Sequence, residues 1–457
     1  MNKLKQLWTN VSSSLWFVPV LIVVGYVSLA IALIEVDGRI DRELLAEYPR
    51  IFGAGADGSR GMLSSIAGSM ITVAGLTFSL TLLAMAQASS QYTSRILRNF
   101  MRDRANQFVL GFFVGIFAYC LVVLRTIRGG DEGRFIPSIA VLFGLLFAIS
   151  SVGVLIYFVH HIASSIQASS IISSAAEETM RAIERLFPHE VGEEADESET
   201  EEAQVALEGR SWQTIPAHDT GYLQDVDADR LVRFAREREY IVRLERGLGA
   251  FVVRGSPLVS ISCKSEGSRK LDDDTTKELN GLFTLGHYRT IDQDVSFGVR
   301  QIVDIALKAL SPGVNDTTTA VVCVDYLGAI LAKLARRRIE KRYRSDAGEV
   351  QVIARGATFE SLVSEAFDQI RDVAGENTAI YLRLLGAIET VAEQTVNKRR
   401  SATLAAQVNL VSEKAERALP SDYNLERVRL RAATARATIE TEASNDQYAF
   451  AQRGVSG

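Results

Sequence analysis

Four long apolar stretches in the first third of the chain constrain its fold more than any other feature. The stretches are Leu15–Ile34, Met62–Ala86, Phe108–Ile127 and Phe135–Val159. Only the third contains a charged residue, Arg125 near its end. A hydrocarbon core of about 30 Å needs roughly 20 apolar residues in a helix, because each residue rises by about 1.5 Å. The sequence therefore predicts four transmembrane helices.

A cleaved signal peptide is the alternative interpretation of the first stretch. The apolar run Leu15–Ile34 is longer than the apolar core of a typical signal peptide. We therefore expect this stretch to be a retained membrane anchor.

The sequence gives weaker evidence for the orientation of the four stretches in the membrane. Flanking lysines and arginines are divided six against six between the two sides, so the positive-inside rule decides little. The short loop 87–107 carries four arginines and one acidic residue, which favours the cytosolic side. Unpaired cysteines in the C-terminal part suit a reducing cytosol. We expect a multi-pass protein of the inner (plasma) membrane with both termini in the cytoplasm.

Hydroxyl side chains make the second stretch unusually polar. Ser65, Ser69, Thr72 and Ser79 are spaced by 4, 3 and 7 residues and therefore share one face of a helix. Hydroxyls in hydrocarbon need hydrogen-bond partners, which neighbouring helices or water in a pore can supply. Two alternatives stay open, because the face could pack against another helix or line a wetted conduit. We take these four residues as candidates for the wall of a pore.

Two glycines in the third stretch indicate how the helices contact one another. Gly111 and Gly115 form a Gly-x-x-x-Gly pattern. Glycines at this spacing allow two helix backbones to approach closely. The pattern is frequent by chance, so we interpret it as helix packing rather than as a functional site.

Charge and cysteine content disfavour several classes of protein. The formal net charge of −5 gives no basic surface for a nucleic-acid partner. No carboxylate or lysine lies inside the four stretches, which argues against proton pumps and many ion-coupled transporters. Cys120, Cys263 and Cys323 are far apart, so neither a disulfide scaffold nor a cysteine-rich metal site is expected.

Apolar spacing predicts that two of the membrane helices continue into the cytosol. The helical pattern of the fourth stretch persists until Pro188, which predicts one long helix. The second stretch is followed by a basic helical pattern over residues 91–104. We therefore assign residues 1–187 to a transmembrane domain with a cytosolic helical extension.

The polar remainder of the chain divides by composition. Residues 190–203 carry eight acidic residues and no basic one, as a solvated linker does. Short β-prone runs broken by Gly, Pro and Asp follow, and amphipathic helical patterns come after them. We predict an acidic linker at 188–211, a β-rich module at 212–265, a helical cytosolic domain at 266–445 and a tail at 446–457. The predicted fold class is a membrane α-helical domain with four spans, joined to a cytosolic α+β region.

Three runs of residues resemble a known bacterial family. They are Phe78–Leu82 (FSLTL) with Ala88–Gln91 (ASSQ), Tyr157–Ala163 (YFVHHIA), and Asp294–Asp316, which includes the run FGVRQIVDIALKALSPGVND. Together they are similar to the predicted membrane proteins filed as domain of unknown function 2254. The resemblance covers roughly residues 10 to 440. It implies a four-span N-terminal region and a cytosolic C-terminal domain, and it implies no established activity.

The third of these runs contains the candidate ligand residues of the polar region. They are Asp294, Arg300, Asp304, Asn315 and Asp316. Arg300 and Asp304 can form an ion pair within one helix, and Asp316 can cap the next helix after a turn closed by Asn315. The alternative is a site for a cation or an anionic ligand, since carboxylates and an amide can bind a hard metal. Both interpretations stay open.

No enzyme signature accompanies these residues. The sequence lacks Gly-x-Ser-x-Gly, His-Glu-x-x-His, a Walker phosphate loop and Cys-x-x-Cys. We expect no catalytic site, no cofactor and no bound metal, with the lipid bilayer as the clearest partner and an unknown ion or small ligand as a further one.

The function that fits these observations is an oligomeric channel or pore-type transporter with a cytosolic regulatory domain. Four spans leave little room for a pore within one subunit, so a pore implies a homo-oligomer. The competing hypothesis is a non-conducting sensor or scaffold whose membrane part only anchors the cytosolic domain. Packing of Ser69 and Thr72 against another helix, without an axial cavity, would favour that competitor.

Overall fold

A computed structural model of the chain describes residues 16–39, 55–91, 103–128, 135–187, 209–263, 272–291, 293–337, 339, 343–346, 349–395 and 397–453. The chain forms two compact units, Met1–Ile171 and Ile172–Gly457. Most of the linker predicted at 188–211 lies outside the described residues, as do positions 92–102 of the basic helix expected over 91–104.

The first unit is built from helices. Its described elements are α1 (Phe17–Arg39), α2 (Ala56–Gln91), α3 (Arg104–Thr126), α4 (Ser138–Ser165) and the start of α5 (Ala168–Leu186). Helices α1 to α4 coincide with the four apolar stretches, and each is long and apolar enough to cross a membrane. The protein is therefore consistent with a multi-pass membrane protein.

Helices α1 and α3 approach closely at the two glycines of the third stretch. A Cβ atom at Gly111 would lie 2.8 Å from the Cα of Pro19, and one at Gly115 would overlap the ring of Tyr26. The Tyr26 ring also packs edge-on against Phe147, with ring centroids 5.0 Å apart. The predicted role of the Gly-x-x-x-Gly pattern in helix packing is confirmed.

Charged side chains close helix ends inside the first unit. The carboxylate of Asp37, near the end of α1, accepts hydrogen bonds of 3.0 Å from the backbone N–H groups of Ile139 and Ala140 in α4. The guanidinium group of Arg60 donates a hydrogen bond of 2.8 Å to the carbonyl of Ile127, just after α3. The uncharged stretch read from the sequence ends before Asp37, so this buried carboxylate was not expected.

The long helix expected to continue from the fourth stretch is interrupted. Helix α4 ends at Ser165, and α5 begins only at Ala168. The hydroxyls of Ser164 and Ser165 donate hydrogen bonds to the backbone carbonyls of His160 and His161. Hydroxyls that bond to the preceding turn compete with the backbone and bend helices, which explains a break in this serine-rich segment. The expectation of one continuous helix was wrong here.

The second unit combines two small sheets with helices. Its strands are β1 (Gln213–Pro216), β2 (Gly221–Val226), β3 (Tyr240–Leu244), β4 (Phe251–Val252), β5 (Pro257–Cys263), β6 (Phe283–Gly286), β7 (Tyr343–Asp346) and β8 (Glu349–Ile353). Its helices after α5 are α6 (Ala228–Glu237), α7 (Asp273–Asn280), α8 (Val295–Ala309), α9 (Thr317–Ala335), α10 (Phe359–Val373), α11 (Thr378–Ala392), α12 (Lys398–Ala418) and α13 (Asp422–Arg453). The strand orders are β1-β5-β3-β8-β7 and β4-β2-β6.

The larger sheet includes strands from a region expected to be helical. Strand β8 pairs in parallel with β3, with Val352 opposite Val242, whereas β3 and β5 are antiparallel. Strands β6, β7 and β8 all lie within residues 266–445. Short strands depend on pairing partners elsewhere in the sequence, so their local pattern is a weak signal. The β-rich region therefore extends beyond the boundary predicted at residue 265.

Helix α9 is a fifth helix that is long and apolar enough to cross a membrane, one more than the sequence predicts. Its apolar side chains pack within the second unit, where Leu327 and Ile330 are fully buried. Gly328 faces α11 so closely that a Cβ atom there would lie 3.0 Å from the Cβ of Ala387. Length and composition alone do not separate a buried core helix from a short span, which is why the count of four is not exact.

The last helix extends further than expected. Helix α13 reaches Arg453, so the described part of the tail predicted at 446–457 is helical. No glycine or proline occurs between Ser421 and Arg453, and Gly454 follows directly. Since these two residue types disfavour helix most strongly, a helix is able to persist to this point.

Candidate functional site

The four predicted pore-wall residues lie on the exposed surface of α2. Ser65, Ser69, Thr72 and Ser79 are all exposed. Each hydroxyl donates a hydrogen bond of 2.8 or 2.9 Å to the carbonyl four residues earlier in its own helix. Their donors are therefore satisfied without a partner from another helix, so these side chains can tolerate lipid, protein or water.

Open glycines alternate with these hydroxyls. Gly61, Gly68 and Gly75 recur every seven residues on the same face as Ser65 and Thr72. A Cβ atom added at any of the three glycines would meet no atom within 4 Å. We call Gly61, Ser65, Gly68, Thr72, Gly75 and Ser79 the small-residue face of α2. The other described helices of the first unit leave this face open.

A groove of about 370 Å³ lies beside the small-residue face. Ser65, Ser69 and three apolar residues of α2 contribute to its lining, together with residues of α3 and α4, among them Ser151. Thr72 and Ser79 do not line this groove. The four pore-wall candidates therefore share a helix surface but not a single cavity of the chain.

Asp294 is the most buried of the five candidate ligand residues. Its Oδ1 atom accepts a hydrogen bond of 3.1 Å from the backbone N–H of Phe297, which caps α8. Its Oδ2 atom lies 2.8 Å from the guanidinium group of Arg289. Burial raises the pKa of Asp294, and the neighbouring Arg289 opposes the rise. Gly249 makes room for the pair, because a Cβ atom at that position would overlap this carboxylate. Its φ of +78° also lies in the left-handed region that favours glycine.

The other four candidates make the local contacts that their spacing predicts. Arg300 Nε lies 2.8 Å from Asp304 Oδ1, as an ion pair within α8. Asp316 accepts a hydrogen bond of 3.0 Å from the backbone N–H of Thr319 and so caps α9. Asn315 precedes it with a φ of 50°, in the left-handed region that asparagine tolerates. A ligand role for these residues stays a prediction.

A cleft of about 1080 Å³ in the second unit brings together segments that are distant in the sequence. The parallel strands β3 and β8 both end at it, and their following loops supply Gly247, Leu248 and residues 354–358. Asp294 lines the cleft, whereas Arg300, Asp304, Asn315 and Asp316 do not. In open sheets, ligands bind at the carboxyl ends of parallel strands, so this is the place where the fold favours a site.

A second carboxyl group, that of the half-buried Glu365 in α10, also lines the cleft. It accepts a hydrogen bond from the hydroxyl of Ser296. Burial raises the pKa of Glu365, while Ser296, Arg289 and Arg300 act to lower it and Asp294 raises it further. The net direction is upward, so the cleft wall holds a carboxyl group that binds a proton more readily than usual.

Two arginines give the cleft positive charge. The guanidinium group of Arg355 donates a hydrogen bond of 2.9 Å to the carbonyl of Glu245. That of Arg400 donates one of 2.7 Å to the carbonyl of Ala335 and lies 5.0 Å above the ring of Phe359. Within the described part of the chain both groups bond to carbonyls rather than to carboxylates. Their charges are therefore not neutralised by a bonded ion pair.

Sequence patterns did not identify Glu365, Arg355 or Arg400, because they come from separate segments that only the fold joins. The available local signal was a β-prone run followed by Gly356 and by Thr358, which caps α10. Among the described residues, no three His, Cys, Asp or Glu side chains are grouped so that they could hold a metal ion.

Comparison with known proteins identifies relatives that match most of the chain. The family described as Predicted membrane protein (DUF2254) matches residues 12–390. An uncharacterized protein of Mycobacterium tuberculosis strain CDC 1551 is 34% identical over 389 residues, which cover 84% of this chain and 73% of the relative. An uncharacterized protein of Mycobacterium bovis matches with the same identity and coverage. No solved structure matches the chain.

Proposed function

We propose that this chain, which belongs to the DUF2254 family of predicted membrane proteins, is an oligomeric ion channel or pore-type transporter of the inner membrane with a cytosolic regulatory domain. The observation that carries this proposal is the small-residue face of α2, which stays open in the single chain. A membrane helix with an open strip of glycines and hydroxyls suits close contact with a neighbouring subunit or with a water-filled conduit.

In the proposed arrangement, the protein crosses the membrane four times, with α1 to α4, and both termini lie in the cytoplasm. Helix α9 is assigned instead to the core of the cytosolic domain, because its charged residues are paired there. Lys333 Nζ lies 2.5 Å from Glu184 Oε1, and Asp325 pairs with Arg383 of α11. A spanning α9 would carry Asp325 and Lys333 into the bilayer, at a cost of about 2.5–3.5 kcal/mol for each charge near its centre.

Assembly into an oligomer follows from the number of spans. Four helices in contact leave little room for a pore inside one chain, so the conduit is expected between copies. The hydroxyls of Ser69 and Thr72 bond within their own helix and are exposed. This arrangement favours an intersubunit surface over packing inside the chain, which would have favoured a simple anchor.

Disulfide trapping tests the intersubunit contact. Cys263 is replaced by serine, because it is partly exposed and could cross-link by itself. Cys120 and Cys323 are buried and are kept. Gly68→Cys in this background is expected to give a disulfide-linked dimer in oxidised membranes. Gly153→Cys on α4 is the matched control, since it is equally open, with no atom within 4 Å of an added Cβ. Equal dimer yields from both variants would contradict a specific α2 interface.

Current recording tests conduction. Purified full-length protein in a planar bilayer is expected to give discrete openings that Thr72→Trp suppresses. Ile71→Trp is the matched control, because Ile71 is exposed and its side chain lies about 100° around the helix from that of Thr72. Openings unaffected by Thr72→Trp would move the pore wall away from α2, and silence of the wild type would contradict the channel.

A non-conducting sensor or scaffold is the second candidate function. The cleft at the ends of β3 and β8 favours it, because a cavity of about 1080 Å³ can hold a ligand without any pore. The two candidates differ in one result: a sensor gives no current although the protein is folded and membrane-inserted.

A further inference from the structure

The cleft of the second unit has the geometry of a small-molecule site that no residue pattern had suggested. Its volume of about 1080 Å³ reaches the upper end of the range of roughly 300–1000 Å³ found for pockets that hold drug-sized ligands. The parallel strands β3 and β8 end at one side of it, and the loop 354–358 leads from β8 into α10. A bare inorganic ion would fill only a small part of this volume.

The charges that line the cleft favour an anion. Of the three acidic residues in the lining, Asp294 is paired with Arg289, and Glu360 lies 3.2 Å from Arg399. The third, Glu365, is half-buried and bonded to a hydroxyl. Arg355 and Arg400 are bonded to backbone carbonyls instead, and they also feel the charges of Glu245 and Glu360 respectively. The lining holds four arginines, Arg185, Arg355, Arg399 and Arg400, against the three acidic residues, which leaves positive charge in excess.

The groups near Arg355 suit a phosphate in particular. Residues 355–358 connect a strand to a helix through Gly356, and the helix that follows has a partial positive charge at its N-terminus. A guanidinium group presents two parallel N–H donors that match two phosphate oxygens. Arg355 lies three residues before Thr358, the N-cap of α10, and the guanidinium group of Arg400 lies over the ring of Phe359, the first residue of that helix. Both arginines are therefore near the start of α10.

The rest of the lining is apolar. It includes Leu231, Leu244, Leu248, Val352 and Leu362. These side chains form a surface on which an apolar body excludes water, and such burial is worth about 25 cal/mol for each Å². The lining of the cleft therefore offers both cationic and hydrophobic groups to a ligand.

We propose that this cleft binds a soluble organic phosphate that carries an apolar body. The phosphate lies near Arg355, Arg400 and the start of α10, and the apolar body lies against the leucine and valine side chains. The site is independent of the proposed pore, because its binding is measurable whether or not the protein conducts.

The probe for the test is 1-naphthyl phosphate, titrated calorimetrically into the full-length protein in detergent. Gly356→Glu places a carboxylate beside Arg355 without a steric clash, since an added Cβ there meets no atom within 4 Å and φ is not positive. We expect binding at least about tenfold weaker in this variant, because the new carboxylate competes for the guanidinium groups. Gly356→Gln has the same shape without the charge and is expected to lose less.

Gly313→Glu is the matched control, since Gly313 is equally open, with no atom within 4 Å of an added Cβ, and lies outside the cleft. It should bind the probe like the wild type. No binding to the wild type, or an equal loss in Gly356→Glu and Gly313→Glu, would overturn the proposal. Equal binding of neutral 1-naphthol would overturn the anion requirement, and equal binding of inorganic phosphate would overturn the apolar one. Binding of dihexanoyl phosphatidic acid alone would overturn the soluble class in favour of a lipid.

Discussion

The Oδ2 atom of Asp37 accepts a hydrogen bond of 3.0 Å from the backbone N–H of Ala140, although the two residues are 103 positions apart. The Oδ1 atom accepts a second bond from Ile139. The residue before α4 is Pro137, which offers no side-chain cap. Asp37 therefore caps the start of α4 from the end of α1, and its carboxylate stabilises N–H groups that would otherwise lack partners.

Removing this carboxylate should destabilise the first unit. Asp37→Leu is expected to lower the free energy of unfolding by about 1–3 kcal/mol, because buried backbone donors lose their acceptors. Asp37→Asn keeps one acceptor oxygen and should lose less. The thermal midpoint in detergent measures both effects.

Glu35→Gln provides the control for Asp37. Among the residues that the structure describes, its carboxylate bonds to Arg39 on the exposed surface, and exposed pairs of this kind contribute little. A midpoint for Asp37→Leu equal to that of Glu35→Gln would contradict the capping role.

The close contact of α1 and α3 gives a second prediction. Gly111→Leu forces a side chain against the backbone of Pro19, so the two helices must separate. We expect a loss of about 1–3 kcal/mol, as for overpacked cores, and a lower thermal midpoint. An added Cβ atom at Gly153 on α4 meets no atom within 4 Å, so Gly153→Leu should melt like the wild type. An unchanged midpoint in Gly111→Leu would mean that α1 does not pack closely against α3 at Gly111.

Local signals in the sequence were enough to predict helices, one cap and one helix contact. The four apolar stretches fixed α1 to α4, since length and the absence of charge are properties of the segment itself. The cap at Asp316 was likewise predictable, because a cap needs only the residues of one turn. The packing role of Gly111 and Gly115 also followed from spacing alone.

Contacts between distant segments were not predictable in this way. The bond from Asp37 to α4, the parallel pairing of β8 with β3, and the cleft that joins Glu365 to Arg400 all depend on tertiary structure. Helix α9 has the composition of a membrane span, whereas its contacts and its paired charges are those of a core helix. Candidate sites on single helices were therefore foreseeable, and the cleft was not.

The raised pKa of Glu365 predicts a pH-dependent effect on stability. Burial favours the protonated form in the folded protein, so folding loses stability as the pH rises from about 4.3 through the raised value. Glu365→Gln cannot ionise and still offers an oxygen to Ser296. Its thermal midpoint should match the wild type near pH 4 and exceed it at pH 7–8. A gap that is constant with pH would contradict the shift.

The capping carboxylate of Asp316 predicts the opposite dependence. The hydroxyl and backbone N–H of Thr319 hold the pKa of Asp316 below its usual range. The stability that it contributes is therefore present above the unfolded value of about 3.9 and is lost as the pH falls through the folded one. Asp316→Ala should lower the free energy of unfolding by about 1 kcal/mol at pH 7 and by a smaller amount near pH 2.

Asp316→Asn separates the charge from the cap, because asparagine caps helices and does not titrate. Its midpoint should lie close to the wild type at pH 7 and show a weaker decline in acid. Thermal unfolding of the full-length protein in detergent between pH 2 and 7 measures all three proteins. If Asp316→Ala stays less stable by the same amount at both ends of this range, the contribution comes from packing of the turn rather than from the ionised carboxylate.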